Sequence, residues 1–247
     1  MNKVALVTGA TSGFGNAIAR ALAKDGYSLI ITGRRVERLE ALSNELGVPT
    51  HALALDVRVK DSVFKAIESL PSEFKNIEIL VNNAGLALGQ ERVQDADLAD
   101  FETMIDTNVK GLVYMTKAAL PALIANRGYI FNLGSVAGTW PYPGGNVYGA
   151  TKAFVRQFSL NIRNDLRGTG VRVTDIAPGI AKTEFSLVRF KGDEAKSDAV
   201  YDGTGYLTAG DIAQIVLNCV HLPPHVNINS LEVMATTQTW AGFAFER

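Results

Sequence analysis

KVALVTGATSGFG (residues 3–15) joins a short apolar run to three glycines within seven residues, and a segment of helical period follows at 16–24. Glycine lacks Cβ and readily adopts positive φ, so it suits a backbone that must approach another group closely. The N–H groups and the dipole at a helix start favour a bound phosphate. The stretch therefore predicts a dinucleotide site between a first strand and a first helix, although a flexible turn is the simpler alternative. The residues predicted to bind there are Gly9, Thr11, Ser12, Gly13, Phe14 and Gly15.

Along the rest of the chain, short apolar runs alternate with longer segments of helical period. Interpreted as strands, these runs cover residues 3–8, 28–32, 51–55, 77–82, 128–133, 171–176 and 231–235. Gly26 and Gly47 stand where glycine commonly ends a helix. Thr208 and Asp211 form a capping-box pattern where a late helix begins. The alternation predicts the α/β class: a single-domain, doubly wound Rossmann fold over 1–247, whose seven-stranded parallel sheet is flanked by helices and binds ligands beyond the carboxyl ends of its strands.

The composition is that of an ordinary globular protein: 47% of the 247 residues are hydrophobic, 20% are charged and the formal net charge is -1. A chain without a basic surplus has no field for holding nucleic acid or an anionic membrane, so neither partner is expected. The single cysteine, Cys219, allows no internal disulfide, and its apolar surroundings predict a buried packing residue. The absence of a signal sequence and of a membrane-length apolar run favours a cytoplasmic protein. No metal site is predicted from the spacing of His51, His221 and His225.

The end of the second predicted strand indicates which dinucleotide binds. A Rossmann site that prefers NAD carries an acidic residue there, about 20 residues beyond the glycine turn, which binds the ribose hydroxyls. The strand instead ends in Gly33-Arg34-Arg35. A guanidinium is a planar, permanently charged donor that suits a phosphate, so Arg34 and Arg35 predict the 2′-phosphate of NADP. The alternative is that both arginines are solvated residues that open the next helix.

Two further turns follow predicted strands and lie on the expected path of the cofactor. Asp56, with Val57 beside it, comes after the third strand, where its carboxylate can accept a hydrogen bond from the adenine amine. An aspartate in that place can equally be a helix N-cap. Asn82, Ala84 and Gly85 belong to an Asn-Asn-Ala-Gly tetrad after the fourth strand and offer an amide and small side chains near the cofactor. A structural turn explains that tetrad almost as well.

Tyr148 and Lys152 are four residues apart at the start of a predicted helix, so both side chains lie on one face. A free tyrosine titrates at about pH 10, and a neighbouring ammonium lowers that pKa, so the pair can supply an acid and base near neutral pH. Ser135 follows the fifth strand at the same edge of the sheet, where its hydroxyl can donate to a substrate oxygen. Tyrosine and lysine at this spacing also form ordinary surface faces, but the glycine turn and Ser135 favour the catalytic interpretation.

Together these motifs resemble the short-chain dehydrogenase/reductase family over essentially the whole chain. The family's glycine turn, its Asn-Asn-Ala-Gly, its Tyr-x-x-x-Lys and its Pro-Gly motif match residues 8–15, 82–85, 148–152 and 178–179. The resemblance implies that Asn108 is a fourth catalytic residue, which positions a water leading to the lysine. It also implies that Thr183 contacts the nicotinamide carboxamide and that Pro178 and Gly179 lie beside the cofactor. Members of the family are commonly homotetramers, so a homotetramer is expected.

More specifically, residues 82–89, 106–121, 140–161 and 183–193 resemble the branch of NADP-dependent 3-hydroxy acid dehydrogenases. The resemblance implies hydride transfer between NADP(H) and a small 3-hydroxy acid such as serine, allo-threonine or 3-hydroxypropionate, the last being the reduced form of malonic semialdehyde. Ser135 and Tyr148 would then bind the substrate oxygen. Arg189, in a segment at about 184–207 that can close as a lid, is nominated for the substrate carboxylate, although a surface cation is an equal alternative. A reductase for another carbonyl, such as a 3-oxoacyl thioester, and a non-catalytic NADP-binding regulatory protein are the other functions that stay open.

Overall fold

The computed structural model describes residues 3–203 and 205–240. Its strands are β1 Val4–Val7, β2 Ser28–Gly33, β3 Thr50–Ala54, β4 Ile77–Asn82, β5 Tyr129–Leu133, β6 Arg172–Pro178 and β7 Ser230–Val233. They form one parallel sheet in the order β3-β2-β1-β4-β5-β6-β7. The predicted seven-stranded parallel sheet is confirmed, and each predicted strand matches an observed one to within two residues at either end.

Helices cover both faces of the sheet. They are α1 Gly13–Lys24, α2 Val36–Glu45, α3 Lys60–Glu68, α4 Leu98–Ile105, α5 Leu112–Ala125, α6 Asn146–Asp165, α7 Phe185–Arg189, α8 Glu194–Ala199 and α9 Ala209–Val220. Successive strand residues point to opposite faces, so Ile31 and Phe131 pack with α1, α2 and α9, while Ile30 and Ile130 pack with α3 and α5. The inner strands are predominantly apolar because neither of their faces meets water.

The order of the strands reverses at β1. Strands β2 and β3 lie on one side of it and β4 to β7 lie on the other, so the turns that follow β1 and β4 meet. Thr8 joins the two turns: its N–H donates to Val81 O (3.0 Å), and its Oγ1 accepts from the N–H groups of Asn83 and Ala84 (both 2.9 Å). Doubly wound sheets open a crevice at such a reversal, and the fold places the predicted site residues around it.

The predicted helix boundaries are confirmed at three places. Gly26 and Gly47, each just past the end of a helix, have φ of +88° and +67°. Thr208 and Asp211 form both hydrogen bonds of a capping box at the start of α9. Cys219, further along α9, is buried, as its apolar surroundings predict.

One segment departs from a plain helix. Asp106–Gly111 forms a π-helical turn between α4 and α5. Asn108 lies in that turn, and its side chain bonds the backbone of Leu86 twice: Oδ1 accepts from the N–H and Nδ2 donates to the carbonyl, both at 2.8 Å. The turn therefore fastens Asn108 to the loop after β4, and π-turns inside helices frequently occur at functional sites.

The segment after β6 leaves the sheet and returns to nearly the same place. The N–H of Lys182 donates to Leu207 O and the N–H of Leu207 donates to Ile180 O, both at 2.9 Å, and α7 and α8 lie within this excursion. Residue 204 of the predicted lid, and 1–2 and 241–247 of the predicted domain, lie outside the described residues. Within the described part of the chain, no helix combines the length and the apolar character needed to cross a membrane.

Candidate active site

The turn after β1 has the backbone shape that its glycines predict. Gly9 and Gly13 have φ of +65° and +53°. A Cβ on Gly15 would lie 2.4 Å from the carbonyl oxygen of Gly9, so the turn closes this tightly only with glycine there. Ser12, at the N-cap position of α1, makes no side-chain cap hydrogen bond. The first N–H groups of α1 are therefore not taken up by this serine, which suits the binding of a phosphate.

Asn83 braces the glycine turn, although no motif assignment singled it out. Its Nδ2 donates to the carbonyls of Thr8 (2.9 Å) and Gly9 (3.1 Å) in the turn. Its neighbour Asn82, predicted to contact the cofactor, instead lies beneath the cleft, where its Nδ2 donates to Thr116 Oγ1 (2.9 Å) and Asn132 Oδ1 (2.8 Å). Side chains alternate along a strand, so Asn82 at the end of β4 points towards α5.

A cleft of about 290 Å³ opens along the carboxyl edge of the sheet. The predicted site residues that line it are Gly9, Thr11, Ser12, Gly13, Phe14, Arg34, Arg35, Asp56, Val57, Ala84, Gly85, Tyr148, Lys152 and Thr183. Those outside its lining are Gly15, Asn82, Asn108, Ser135, Pro178, Gly179 and Arg189. The lining also includes Arg58, Asn83 and Glu184, to which the sequence analysis assigned no contact with the cofactor.

One end of the cleft is rich in arginine. Arg35 donates to the hydroxyls of Thr11 (3.0 Å) and Ser12 (2.9 Å) in the glycine turn. It also donates to the carboxylate of Glu184 at 3.0 Å. Glu184 also accepts from Arg38 at 2.6 Å. Arg34 lines the cleft and is exposed. Because Arg35 is engaged on three sides, Arg34 is the cation better placed to receive a phosphate.

Asp56 lies at the same end of the cleft. It is not a helix N-cap, because α3 begins four residues later and Val59 occupies its N-cap position. Arg58 donates to the carboxylate of Asp56 through Nε (3.0 Å) and Nη2 (2.6 Å). The hydrogen bonds from Arg58 hold the pKa of Asp56 below its ordinary value. The carboxylate therefore stays ionised and can accept a further hydrogen bond.

The other end of the cleft holds Tyr148 and Lys152, one turn apart on α6 and both buried. Lys152 Nζ donates to Leu133 O (2.7 Å) and lies 5.9 Å from the centre of the Tyr148 ring. Burial lowers the pKa of Lys152 to about 8 and raises the pKa of Tyr148 to about 12. The tyrosine pKa is thus raised, against the sequence prediction, because loss of hydration outweighs the hydrogen bond from Ser135 and the charge of Arg189.

Ser135 and Asn108 lie beside this pair. The Ser135 side chain forms a hydrogen bond with that of Tyr148, and this bond favours the phenolate. A Cβ on Gly85 would lie 3.2 Å from Asn108 Oδ1 and 3.5 Å from Lys152 Nζ, so both side chains meet the backbone at the same glycine. The structure therefore brings the four predicted catalytic residues together, from the turn after β5, the π-turn and α6.

The segment after β6 brings Arg189 to the tyrosine. Its guanidinium lies 5.6 Å from the centre of the Tyr148 ring. It donates to the hydroxyl of Tyr142 (2.6 Å) and to the carbonyl of Gly89 (3.0 Å). Arg189 is only partly exposed, so it is a cation held over the site rather than a freely solvated surface residue. A guanidinium in this position can bind an anionic group of a substrate.

The remaining predicted residues lie at the end of β6. Thr183 lines the cleft, and its methyl lies 3.6 Å from where a Cβ on Gly13 would stand. Pro178 and Gly179 are set back: the N–H of Gly179 donates to Val233 O (2.7 Å), which ties the strand end to β7. Of these three residues, Thr183 is therefore the one that reaches the cleft.

Comparison with known proteins agrees with this geometry. The family model described as short chain dehydrogenase matches residues 3–193. The chain belongs to the short-chain dehydrogenase family. Full-length relatives of this short-chain dehydrogenase include a sulfoacetaldehyde reductase of Chromohalobacter salexigens, 58% identical over 100% of this chain and 99% of the relative. The NADP-dependent 3-hydroxy acid dehydrogenase YdfG of Escherichia coli K12 is 56% identical over 99% of both chains.

A solved structure extends the comparison. The closed form of serine dehydrogenase complexed with NADP+ is 56% identical, covers 99% of each chain and superposes with a TM-score of 0.96. The predicted fold class, enzyme class and family are thereby confirmed.

Proposed function

We propose that this short-chain dehydrogenase transfers a hydride between NADP(H) and a small anionic hydroxy acid. Tyr148, Lys152, Ser135 and Asn108 form its catalytic group. The observation that carries the proposal is the Arg189 guanidinium, 5.6 Å from the Tyr148 ring at the mouth of the site. A cation held beside the proton donor and acceptor selects a substrate whose anionic group is a short distance from its hydroxyl carbon.

The residues along the cleft fit NADP. The glycine turn and the start of α1 would hold the pyrophosphate, Arg34 the 2′-phosphate, and Thr183 the carboxamide end. Asp56 would accept from the adenine amine. When bound, the nicotinamide supplies or accepts the hydride, and the protein supplies position and electrostatics. The relatives named NADP-dependent or complexed with NADP+ support this cofactor. Contacts with the cofactor are proposed for the residues of the lining: Gly9, Thr11, Ser12, Gly13, Phe14, Arg34, Arg35, Asp56, Val57, Ala84, Gly85, Tyr148, Lys152 and Thr183. Gly15, Asn82, Pro178 and Gly179 lie outside the lining, and their part in cofactor binding stays a prediction from the sequence.

Proton transfer takes place at the end of the cleft that holds Tyr148, with Ser135 beside it. During oxidation the Tyr148 phenolate takes the proton of the substrate hydroxyl, and during reduction the phenol returns it. Ser135 donates to the same substrate oxygen and holds it against the tyrosine. Since burial raises the pKa of Tyr148, positive charge must accompany the phenolate, and Lys152 and Arg189 are the cations in place.

Two substrate classes fit the cation. A 3-hydroxy carboxylate, such as serine, allo-threonine or 3-hydroxypropionate, is favoured by the relatives named for 3-hydroxy acids and serine. A hydroxysulfonate is the second candidate, because relatives 57% and 58% identical are named sulfoacetaldehyde reductases. Arg189 can bind either anion, since both present oxygens to its fork of N–H donors.

Replacing the cation tests this proposal. Arg189→Met is expected to lower kcat/KM about 10- to 100-fold for 3-hydroxypropionate or 2-hydroxyethanesulfonate, because a hydrogen bond to a charged group is worth about 1.5–3 kcal/mol. The neutral amide of 3-hydroxypropionate should be little affected. NADPH absorbance measures each rate. Equal losses for the acid and its amide would contradict the proposal. Lys191→Met is the matched control, because this neighbouring cation pairs with Asp100 instead.

We further propose that 1–247 works as one domain with a substrate lid at about 184–207, in a cytoplasmic homotetramer. Apolar side chains that stand exposed on the outer helices support an interface: Leu98, Ile105, Ile124 and Phe154. Hydrophobic groups of this size on neighbouring surfaces commonly pack against another subunit. Light scattering of the purified protein measures the number of subunits.

A further inference from the structure

A row of polar residues crosses the sheet beneath the catalytic edge. Asn82, Asn132, Asp175 and Ser230 are paired in register on the adjacent strands β4, β5, β6 and β7. Their face of the sheet is the one covered by α5 and α6, because Asn132 Nδ2 donates to Ser159 Oγ of α6 at 2.8 Å. Polar groups in so dry a layer are costly unless each has a purpose or a partner.

Asp175 is the charged member of this row, and it is completely buried. Its Oδ2 accepts from Ser230 Oγ (3.2 Å), while its Oδ1 is buried without a hydrogen-bond partner among the described residues. A Cβ on Gly134 would lie 2.2 Å from that Oδ1. The carboxylate therefore lies directly against the backbone at Gly134, next to Leu133, whose carbonyl accepts from Lys152 Nζ.

Two cations act on this carboxylate through their charge, and both lie on α6. Lys152 and Arg156 stand one turn apart on α6, and both lower the pKa of Asp175, which burial raises to about 6. The effect is mutual: burial lowers the pKa of Lys152 to about 8, and the charge of Asp175 opposes that fall. Between about pH 6 and pH 8 the two residues are therefore oppositely charged in the same dry layer.

We propose that Asp175 is a positioning residue for Lys152: its buried carboxylate keeps the lysine charged and directed at the Leu133 carbonyl, beneath Tyr148. A buried ammonium without a counter-ion loses its proton, because the charge costs more to bury than the neutral amine. The charge of Asp175 offsets part of that cost. This role of Asp175 rests on the proposed function in one respect: the proposed catalytic group needs a charged Lys152.

The test follows the titration of Lys152 itself, so it does not depend on turnover. The protein is labelled with ¹³C at the lysine Cε, and the Lys152 signal is assigned with Lys152→Arg. Asp175→Asn is expected to move the Lys152 midpoint down by about one pH unit or more, the usual effect of losing a close opposite charge. Asp165→Asn, an exposed carboxylate at the far end of α6, should leave the midpoint unchanged. Equal shifts in both variants, or none in Asp175→Asn, overturns the proposal.

A milder variant keeps the test decisive if Asp175→Asn does not fold. Ser230 is exposed, and its hydrogen bond lowers the pKa of Asp175. The wild-type Lys152 signal should show a second inflection near pH 6, where Asp175 takes a proton, and Ser230→Ala should raise the pH of that inflection. A Lys152 signal without the inflection overturns the proposal. If both shifts occur but no hydroxy acid is turned over, the proposed function fails and the role of Asp175 stands.

Discussion

The two ends of the cleft hold their charges in opposite ways. The arginine end is lined by Arg34, Arg35 and Arg58, and Arg38 is joined to it through Glu184. Arg35, Arg38 and Arg58 are paired with carboxylates, and their side chains stay open to water, at 36–47% exposed. The tyrosine end is lined by Tyr148 and Lys152, with Asp175 in the sheet beneath them, and all three side chains are buried. Both ends lie along the carboxyl edge of the same sheet.

The difference teaches what each end can do. An exposed ion pair contributes about 0.2–1 kcal/mol and exchanges partners readily, so the arginine end can release one anion and accept another. A buried charge shifts pKa values by whole units, and its partners are fixed by folding. We therefore expect the arginine end to determine the affinity for the cofactor and the choice between NADP and NAD, and the tyrosine end to carry out proton transfer.

The largest expected effect is at the tyrosine end. Tyr148→Phe should lower kcat about 10²- to 10⁴-fold, because it removes the group that exchanges the substrate proton. NADPH binding, followed by fluorescence, should be little changed, since the arginine end is untouched. Tyr206→Phe is the control, an exposed tyrosine outside the cleft lining. Unchanged turnover in Tyr148→Phe would assign proton transfer elsewhere and remove the contrast between the two ends.

The next effect is on cofactor choice. Arg34→Ala should weaken NADP binding about 10- to 100-fold, the value of a charge-assisted bond to phosphate, and should leave NAD binding and kcat nearly unchanged. Dissociation constants for both dinucleotides measure it. Arg38→Ala is the matched control, because Arg38 pairs with Glu184 and does not line the cleft. Similar losses in both variants would mean that the whole cluster, rather than Arg34, receives the phosphate.

Much of the fold could be predicted from the sequence. The inner strands β1, β2, β4 and β5 are almost wholly buried, so each appears as a predominantly apolar run, and several helix ends carry a glycine or a capping box. The π-turn could not be predicted, because the helical period continues through it. Its cause is a contact with a distant segment, the two hydrogen bonds between Asn108 and the backbone of Leu86.

The candidate site also contains residues that could be predicted from the sequence and residues that could not. Residues in turns directly after strands, such as Gly9 and Tyr148's partner Ser135, could be predicted because the fold brings all strand ends to one edge. Glu184 could not, since its arginine partners are 146 and 149 residues away. Asp175 did carry a signal: it is a carboxylate inside a strand otherwise expected to be apolar, which indicates a buried partner. The raised pKa of Tyr148 depends on burial, which no local pattern reveals.

The smallest expected effect separates two roles of Glu184 at the arginine end. Its carboxylate forms ion pairs with Arg35 and Arg38, and it would also repel the 2′-phosphate that only NADP carries. Glu184→Gln keeps the shape of the side chain and removes the charge. The ratio of NADP to NAD affinity should therefore rise about threefold at low salt, the size of one screened repulsion across several ångströms of water. Dissociation constants for the two dinucleotides give the ratio.

Repeating the measurement at high salt tests whether the change in the NADP to NAD affinity ratio is electrostatic. At about 1 M salt the Debye length falls to about 3 Å, so the gain in Glu184→Gln should disappear there. Glu45→Gln is the matched control, because Glu45 is also paired with an arginine, Arg20, but lies outside the cleft lining. If the ratio of NADP to NAD affinity fell in Glu184→Gln, the opposite balance would hold. The Glu184 carboxylate would then contribute more by holding Arg35 in place for the 2′-phosphate than it costs by repelling that phosphate. The arginine end would then owe its selectivity to fixed geometry, as the tyrosine end does, rather than to exchangeable charge.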